Sequence, residues 1–367
     1  MKNNHVTTLE IDLDAIDFNL NFFKSKLKKN TKVLIVVKAF GYGSSSIEIA
    51  KYLEKKVNYF AVAYSNEGIA LREAGIKTPI LVLHPQVANL KTLIEFNLEP
   101  NIYSERILTE FIKVSKKENK INYPIHLKIN TGLNRLGFSE NNIDNILTHF
   151  KNTNTIKVES IFSHIAASED LNEKDFTLQQ IATFNTISES FIQKLEYSPI
   201  KHMLNTSGII NYSNEAQFDM VRLGIGLYGF ANQQDITSTL KNVLQLKSII
   251  SQIHTIKKGE TVGYNRAFKA KKIIKTATIP IGHADGISRQ LSNEKGYVYI
   301  NNQKAAIVGN VCMDMIMVDV TNIKCEEGDE VLIFKNQEHI NQLAKNSNTI
   351  SYELLTAISQ RVKRVLK

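Results

Sequence analysis

Val33-Leu34-Ile35-Val36-Val37-Lys38 is the stretch on which the fold turns. An unbroken run of mostly β-branched residues suits a strand buried on both faces, as in a parallel sheet covered by helices. Working outward, short apolar runs recur at 59–63, 80–83, 100–103, 125–129, 158–164, 202–205 and 218–221. Helix-period segments lie between them, such as 65–74 closed by Gly75 and the long 177–195. Upstream, Leu9, Ile11 and Leu13 alternate with Glu10 and Asp12 as a strand, and Asp14 is placed to cap a helix facing inward through Ile16, Leu20, Phe23 and Leu27. Strands followed each time by a helix, without hairpin signals, predict an α/β chain whose residues 1–238 close into a (β/α)8 TIM-type barrel. An open doubly wound sheet is the rival, weakened because no Gly-x-Gly-x-x-Gly follows an early strand.

From about residue 240 the texture changes to β-rich segments at 243–254, 272–281, 297–300, 305–308, 315–320 and 330–334, with turn signals at Lys258-Gly259, Asn301-Asn302 and Gly328-Asp329. Residues 239–367 are therefore read as a mostly β domain, ended by a helix over 352–365; the first strand, 6–13, is free to pack with it. The 367 residues suit two domains. Lys+Arg 45 against Asp+Glu 36 gives 45 − 36 = +9, but the lysines are scattered along helix-like segments, which describes a solvated surface and no nucleic-acid face. Cys312 and Cys325 are too few for a disulfide framework or a metal site. The start, residues 1–5, lacks the apolar core of a signal peptide, and no run is long enough to span a bilayer. A reduced cytoplasmic location, with no membrane partner, is expected.

In barrels the chemistry sits at the carboxyl ends of the strands. There the first strand delivers Lys38, an amine that burial would make neutral and nucleophilic. The last two strands deliver Asn205, Thr206, Ser207 and Gly208, then Arg222, Gly224, Ile225 and Gly226. Glycines let backbone N–H groups approach an anion, and Thr206 and Ser207 are placed to cap the following helix, which together suit a phosphate. An amine across a barrel mouth from a phosphate cradle describes a pyridoxal 5'-phosphate site, with the lysine holding the aldehyde as a Schiff base.

Over its whole length the chain resembles the bacterial alanine racemases, pyridoxal-phosphate enzymes of fold type III. The resemblance is carried by residues 36–43, 127–137, 222–229, Val262-Gly263-Tyr264-Asn265 and Val311-Cys312-Met313-Asp314-Met315, in order and spacing. It implies that Lys38 bears the cofactor and is one catalytic base, and that Tyr264, supplied by the second subunit of a homodimer, is the other. Tyr42, Asn205, Thr206, Gly224, Ile225 and Tyr352 match the phosphate shell, and Arg222 the partner of the pyridine nitrogen. Arg135 would orient the cofactor phenol and the substrate carboxylate, which the backbone N–H of Met313, beside Asp314, also meets. His164 and His202 match a pair that hydrogen-bonds around Tyr264 and Arg222. Lys128 matches a lysine that several members carbamylate. The implied activity is interconversion of L- and D-alanine, supplying D-alanine for peptidoglycan.

The residue types suit that reaction. Inverting a stereocentre through a planar carbanion needs acid/base groups on opposite faces. An arginine at the pyridine nitrogen hardly gives up its proton, so the ring stays a weaker electron sink than a glutamate would make it, which separates racemase from decarboxylase. Three segments depart from the usual pattern: Phe40-Gly41 followed by Ser44-Ser45 after the lysine, His283 in place of a tyrosine, and Glu169-Asp170 in place of an aspartate. The last two fall where the substrate entrance of the family forms, so a racemase of broader range, acting on serine, is the first alternative. A non-catalytic carrier of the cofactor, resembling a barrel alone, is the second, opposed by the domain bearing Tyr264.

Overall fold

The computed structural model describes residues 5–195 and 197–367. Residues 1–4, the start of the amino-terminal stretch read above, lie outside them. The chain opens with β1 (Thr8–Ile11) and continues into β2 (Lys32–Val36), β3 (Tyr59–Val62), β4 (Ile80–Val82), β5 (Glu99–Ile102), β6 (Tyr123–Lys128), β7 (Ile156–Phe162), β8 (Ile200–His202) and β9 (Met220–Leu223). Strands β2 to β9 form a closed parallel barrel, sealed where β2 runs beside β9 from Lys32↔Met220 to Ile35↔Leu223. The apolar runs are buried on both faces, against the barrel interior and the surrounding helices: Leu34, Ile35, Phe60, Ala61, Leu81, Leu127, Ile161 and Val221 are fully buried. Such burial on both sides of each strand explains why the sequence shows runs and no alternation.

Boundaries shift by a few residues. The sixth and seventh barrel strands, β7 and β8, end at Phe162 and His202, before the residues read as their tips, so Asn205 lies beyond β8, at the cap of helix Thr206–Ala216. The first helix is Leu13–Ser25, and its cap is Asp12, whose carboxylate accepts from Ala15 N at 2.8 Å; Asp14, expected as the cap, lies in the first turn. A cap must precede the helical residues, and Leu13 is already helical.

The second layer is β10 (Leu244–Ile249), β11 (Gln252–Ile256), β12 (Thr261–Val262), β13 (Phe268–Lys269), β14 (Ile274–Ile279), β15 (Tyr297–Ile300), β16 (Gln303–Ala306), β17 (Ile316–Asp319), β18 (Glu330–Phe334) and β19 (Lys363–Leu366). A six-stranded sheet runs β16-β15-β18-β10-β1-β19, and β11-β14-β17 form a second sheet. The segment 243–254, read as one strand, breaks at Ile250-Ser251 into β10 and β11, which lie in different sheets.

The expected final helix over 352–365 is wrong. Only Ser351–Thr356 is helical, and Lys363–Leu366 is a strand paired parallel to β1. Arg364 ties that strand down by donating to the backbone oxygens of Gly43, Ile358, Ser359 and Val362. A helix there would leave one edge of β1 without a ladder partner. Helix Gln337–Asn346, capped by Asn336 on His339 N, was also not anticipated.

Candidate active site

Lys38 follows β2 directly and opens a rare turn. Ala39, Phe40, Gly41 and Tyr42 all have φ between 52° and 63°, a left-handed helical turn that L-residues adopt at a cost. Two anchors hold it. The Glu67 carboxylate accepts from the amides of Ala39 (2.6 Å), Ala63 (2.7 Å) and Tyr64 (3.2 Å), tying the turn to the end of β3. At the other end Gly43 O accepts from Arg364, and a Cβ on Gly43 would lie 2.1 Å from Leu355 O, so no side chain fits. Burial, then the Arg135 charge, lowers the Lys38 ammonium pKa, while Glu67 raises it. The balance favours a reactive amine.

Lys38 lines a cavity of 650 Å³ at the carboxyl ends of the barrel strands. Tyr42, Asn205, Thr206, Gly224, Ile225 and Tyr352 line the same cavity. Asn205 caps helix Thr206–Ala216 by accepting from Gly208 N at 2.9 Å. Thr206 and Ser207, read as the caps, bond elsewhere: Thr206 Oγ1 accepts from Gly224 N (3.3 Å) and Gly226 N (3.2 Å), and Ser207 Oγ from Asn232 Nδ2 (2.9 Å). The first amides of that helix have no intrahelical acceptor, as at any helix start. A Cβ on Gly224 would lie 2.5 Å from Tyr42 Oη. The Tyr42 ring is held between Tyr228 (5.1 Å) and Tyr352 (6.4 Å), and burial raises its phenol pKa, keeping it a neutral donor.

Arg222 is the best-held cation of the site. Its Nη1 donates to His202 Nδ1 (2.7 Å), and its Nη2 to Ser163 O (2.8 Å), Met203 O (2.8 Å) and His164 Nδ1 (3.0 Å). Burial, then Arg135, pushes the guanidinium down to about 9, so at neutral pH it remains a charged donor. Burial first, then Arg222, holds His164 and His202 far below the usual imidazole range, hence neutral. Since Arg222 occupies Nδ1 of His164 as an acceptor, the proton of that ring sits on Nε2. Lys128 is buried over the Phe162 ring at 4.6 Å, and burial with the charges of Arg222 and Arg135 lowers its pKa strongly.

The remaining candidates lie apart from this cavity. Tyr264, in a short turn after β12, is 72% exposed; Met313 is 58% exposed. The Met313 backbone N–H has no partner among the described residues. Asp314 accepts from Arg361, which also forks onto Asp285. Of the two positions read as departures at the entrance, Glu169 lines a shallower depression of 910 Å³ that shares Arg135, His164, Asn205 and Tyr352 with the cavity. His283 lies in a separate one. Burial raises the Cys312 thiol pKa, so it is no nucleophile.

Sequence reasoning missed Glu67 and Asn101. The first is a first-turn carboxylate of helix Ser65–Glu73, a visible capping signal. Asn101 lines the cavity from β5, donates to Leu83 O at 2.7 Å and keeps its buried Oδ1 without a partner among the described residues.

Comparison with known proteins agrees with this geometry. The family model "Alanine racemase, N-terminal domain" matches residues 11–232, and "Alanine racemase, C-terminal domain" matches 243–366. The alanine racemase of Fusobacterium nucleatum is 38% identical over 98% of this chain and 99% of its own. The solved alanine racemase of Clostridium difficile 630 superposes with a TM-score of 0.93 at 33% identity, covering 100% of this chain and 97% of that one. That of Bartonella henselae, described with covalently bound pyridoxal phosphate, gives 0.88 at 28% identity, covering 99% and 100%. By both of its domains and along its whole length, the chain belongs to the alanine racemase family.

Proposed function

We propose that the chain interconverts L- and D-alanine with pyridoxal 5'-phosphate held in the barrel cavity, using Lys38 and Tyr264 of the partner subunit as the two acid/base groups. The cavity fits that cofactor. It joins a desolvated amine to a cradle in which Gly224 leaves room for the Tyr42 hydroxyl and the start of helix Thr206–Ala216 offers free amides. When bound, pyridoxal phosphate delocalises the electron pair left at the substrate α-carbon.

The protein groups supply the rest. Lys38 Nζ takes or returns the α-proton from the barrel side. The exposed phenol of Tyr264 does so from the other side, with the Nε2–H of His164 as the free donor to support its oxygen. Arg222 donates to the ring nitrogen without surrendering its proton, which discourages misplaced protonation. Arg135 receives the substrate carboxylate, joined by the Met313 amide, unpaired among the described residues, which like Tyr264 comes from the partner subunit. Lys128, whose charged form is disfavoured by burial and by Arg222 and Arg135, would attack carbon dioxide as the free amine and lose a proton to water, leaving a carbamate whose negative charge answers Arg135.

One observation carries the two-subunit reading: Tyr264 is 72% exposed and does not line the cavity of its own chain. Only a second copy can then place the phenol of Tyr264 there. Mixing Lys38→Ala with Tyr264→Phe chains, each inactive alone, tests it. A heterodimer carries one intact site out of two, and half of freely exchanged dimers are heterodimers, so about a quarter of the activity should return. No recovery after demonstrated exchange would overturn the shared site.

A further inference from the structure

Inside the barrel one line of hydrogen bonds crosses five consecutive strands and ends on Arg222. Glu99 of β5 lies with Oε2 2.8 Å from Nε2 of His126 on β6. His126 Nδ1 is 2.6 Å from Oγ of Ser160 on β7, and that oxygen is 3.0 Å from Nε2 of His202 on β8. His202 Nδ1 is 2.7 Å from Nη1 of Arg222 on β9. His126, Ser160 and His202 are fully buried, and the Phe162 ring stacks on His202 at 4.8 Å and 2°.

The chemistry of the last member places every proton. A guanidinium only donates, so His202 Nδ1 accepts and its single proton sits on Nε2. Nε2–H must then donate to Ser160 Oγ, which leaves the Ser160 hydroxyl to donate to His126 Nδ1. The His126 proton is therefore on Nε2, pointing at Glu99, which only has to accept. Reversing any one bond would set two donors or two lone pairs against each other in a dry interior, where an unmade hydrogen bond is costly.

We propose that Glu99, His126 and Ser160 are positioning residues, which hold His202 as an acceptor against Arg222 and so fix the guanidinium that meets the cofactor ring nitrogen. This rests on the assignment of Arg222 to that nitrogen. Without the Ser160 hydroxyl the Nε2–H of His202 faces no acceptor, and moving its proton to Nδ1 would set it against an Arg222 N–H. Either outcome removes one anchor of the arginine fork.

The test is 15N NMR of the histidine-labelled holoenzyme together with cofactor affinity. In the unmodified protein His202 should be neutral with its hydrogen on Nε2, and His126 should carry hydrogen on Nε2. Ser160→Ala should move the His202 resonances and weaken pyridoxal phosphate binding about tenfold, the worth of one net hydrogen bond. Should that variant not fold, the Glu99 pair carries the test. Glu99→Gln keeps an acceptor oxygen and should retain the His126 signals and the affinity, whereas Glu99→Leu should lose both. Hydrogen on Nδ1 of His202 in the unmodified protein would overturn the proton order, as would unchanged His202 signals in both Ser160→Ala and Glu99→Leu. Shifted signals with unchanged cofactor affinity would overturn the assignment of Arg222, and with it the positioning role.

Discussion

Gly224→Ala offers a sharp test of the cofactor cradle. The added methyl would stand 2.5 Å from Tyr42 Oη and 3.4 Å from its Cζ, whereas carbon contacts settle near ~3.5–4.0 Å. Tyr42 cannot simply swing away, because only 9% of it is exposed and its ring is flanked by Tyr228 and Tyr352. Forcing a methyl into a packed site costs about 1–3 kcal/mol. At ~1.4 kcal/mol per factor of ten, cofactor affinity should fall roughly 5- to 150-fold if the hydroxyl must hold its place to bind phosphate. Titrating cofactor-free protein with pyridoxal phosphate and following absorbance measures it. The control is the same substitution in a Tyr42→Phe background. There the offending oxygen is gone and the nearest remaining ring atom is the 3.4 Å carbon, so the further loss should be small. A non-additive cycle is the expected outcome, as for residues in direct contact. Equal losses in both backgrounds would refute the account, since the clash with Oη would then not be what keeps glycine at this position.

Other outcomes follow from the same structure. Tyr264→Phe should keep the bound cofactor and its spectrum yet lose at least ~10² in rate, the usual worth of an acid/base group; near-normal turnover would make Tyr264 structural. Arg364→Ala removes the fork on Gly43 O and should lower urea-unfolding stability by about 3 kcal/mol, with weaker cofactor binding because Tyr42 lies in the released turn; lysine should not rescue it. His339, buried between Tyr297 and Tyr299, has its pKa lowered from 6.5 to about 4 by burial. The unfolded chain therefore binds a proton that the folded one refuses, so this contribution is present above pH 6.5 and is lost as pH falls toward 4. Denaturant unfolding across that interval should show up to roughly 3 kcal/mol less acid loss in His339→Gln, provided that variant folds.

Much of the barrel could be read in advance because burial on both faces writes itself into each strand as an uninterrupted apolar run, with Lys38 as its polar stop. The cavity-lining set was legible for a related reason: the strand tips carry the polar residues, and the order of short motifs places them. Segments held by hydrogen bonds to distant backbone were not legible. Lys363–Leu366 has a composition that suits a basic helix end, yet the edge of β1 and the fork of Arg364 extend it. Glu67 acts on Ala39 from 28 residues away.

The amino-acid sequence by itself determined the eight-strand barrel, the β-rich second half and the strand-tip residues that line the cavity, Lys38, Asn205, Thr206, Gly224 and Ile225, since periodicity and motif order are local properties of a chain. Only the tertiary structure decided that β1 lies within the six-stranded sheet, that the turn after Lys38 is left-handed, that Tyr264 stands away from its own cavity, and that Glu99 reaches Arg222 through three buried side chains. Each of these depends on which donor meets which acceptor once water is excluded, and pairing across space leaves no period in a sequence.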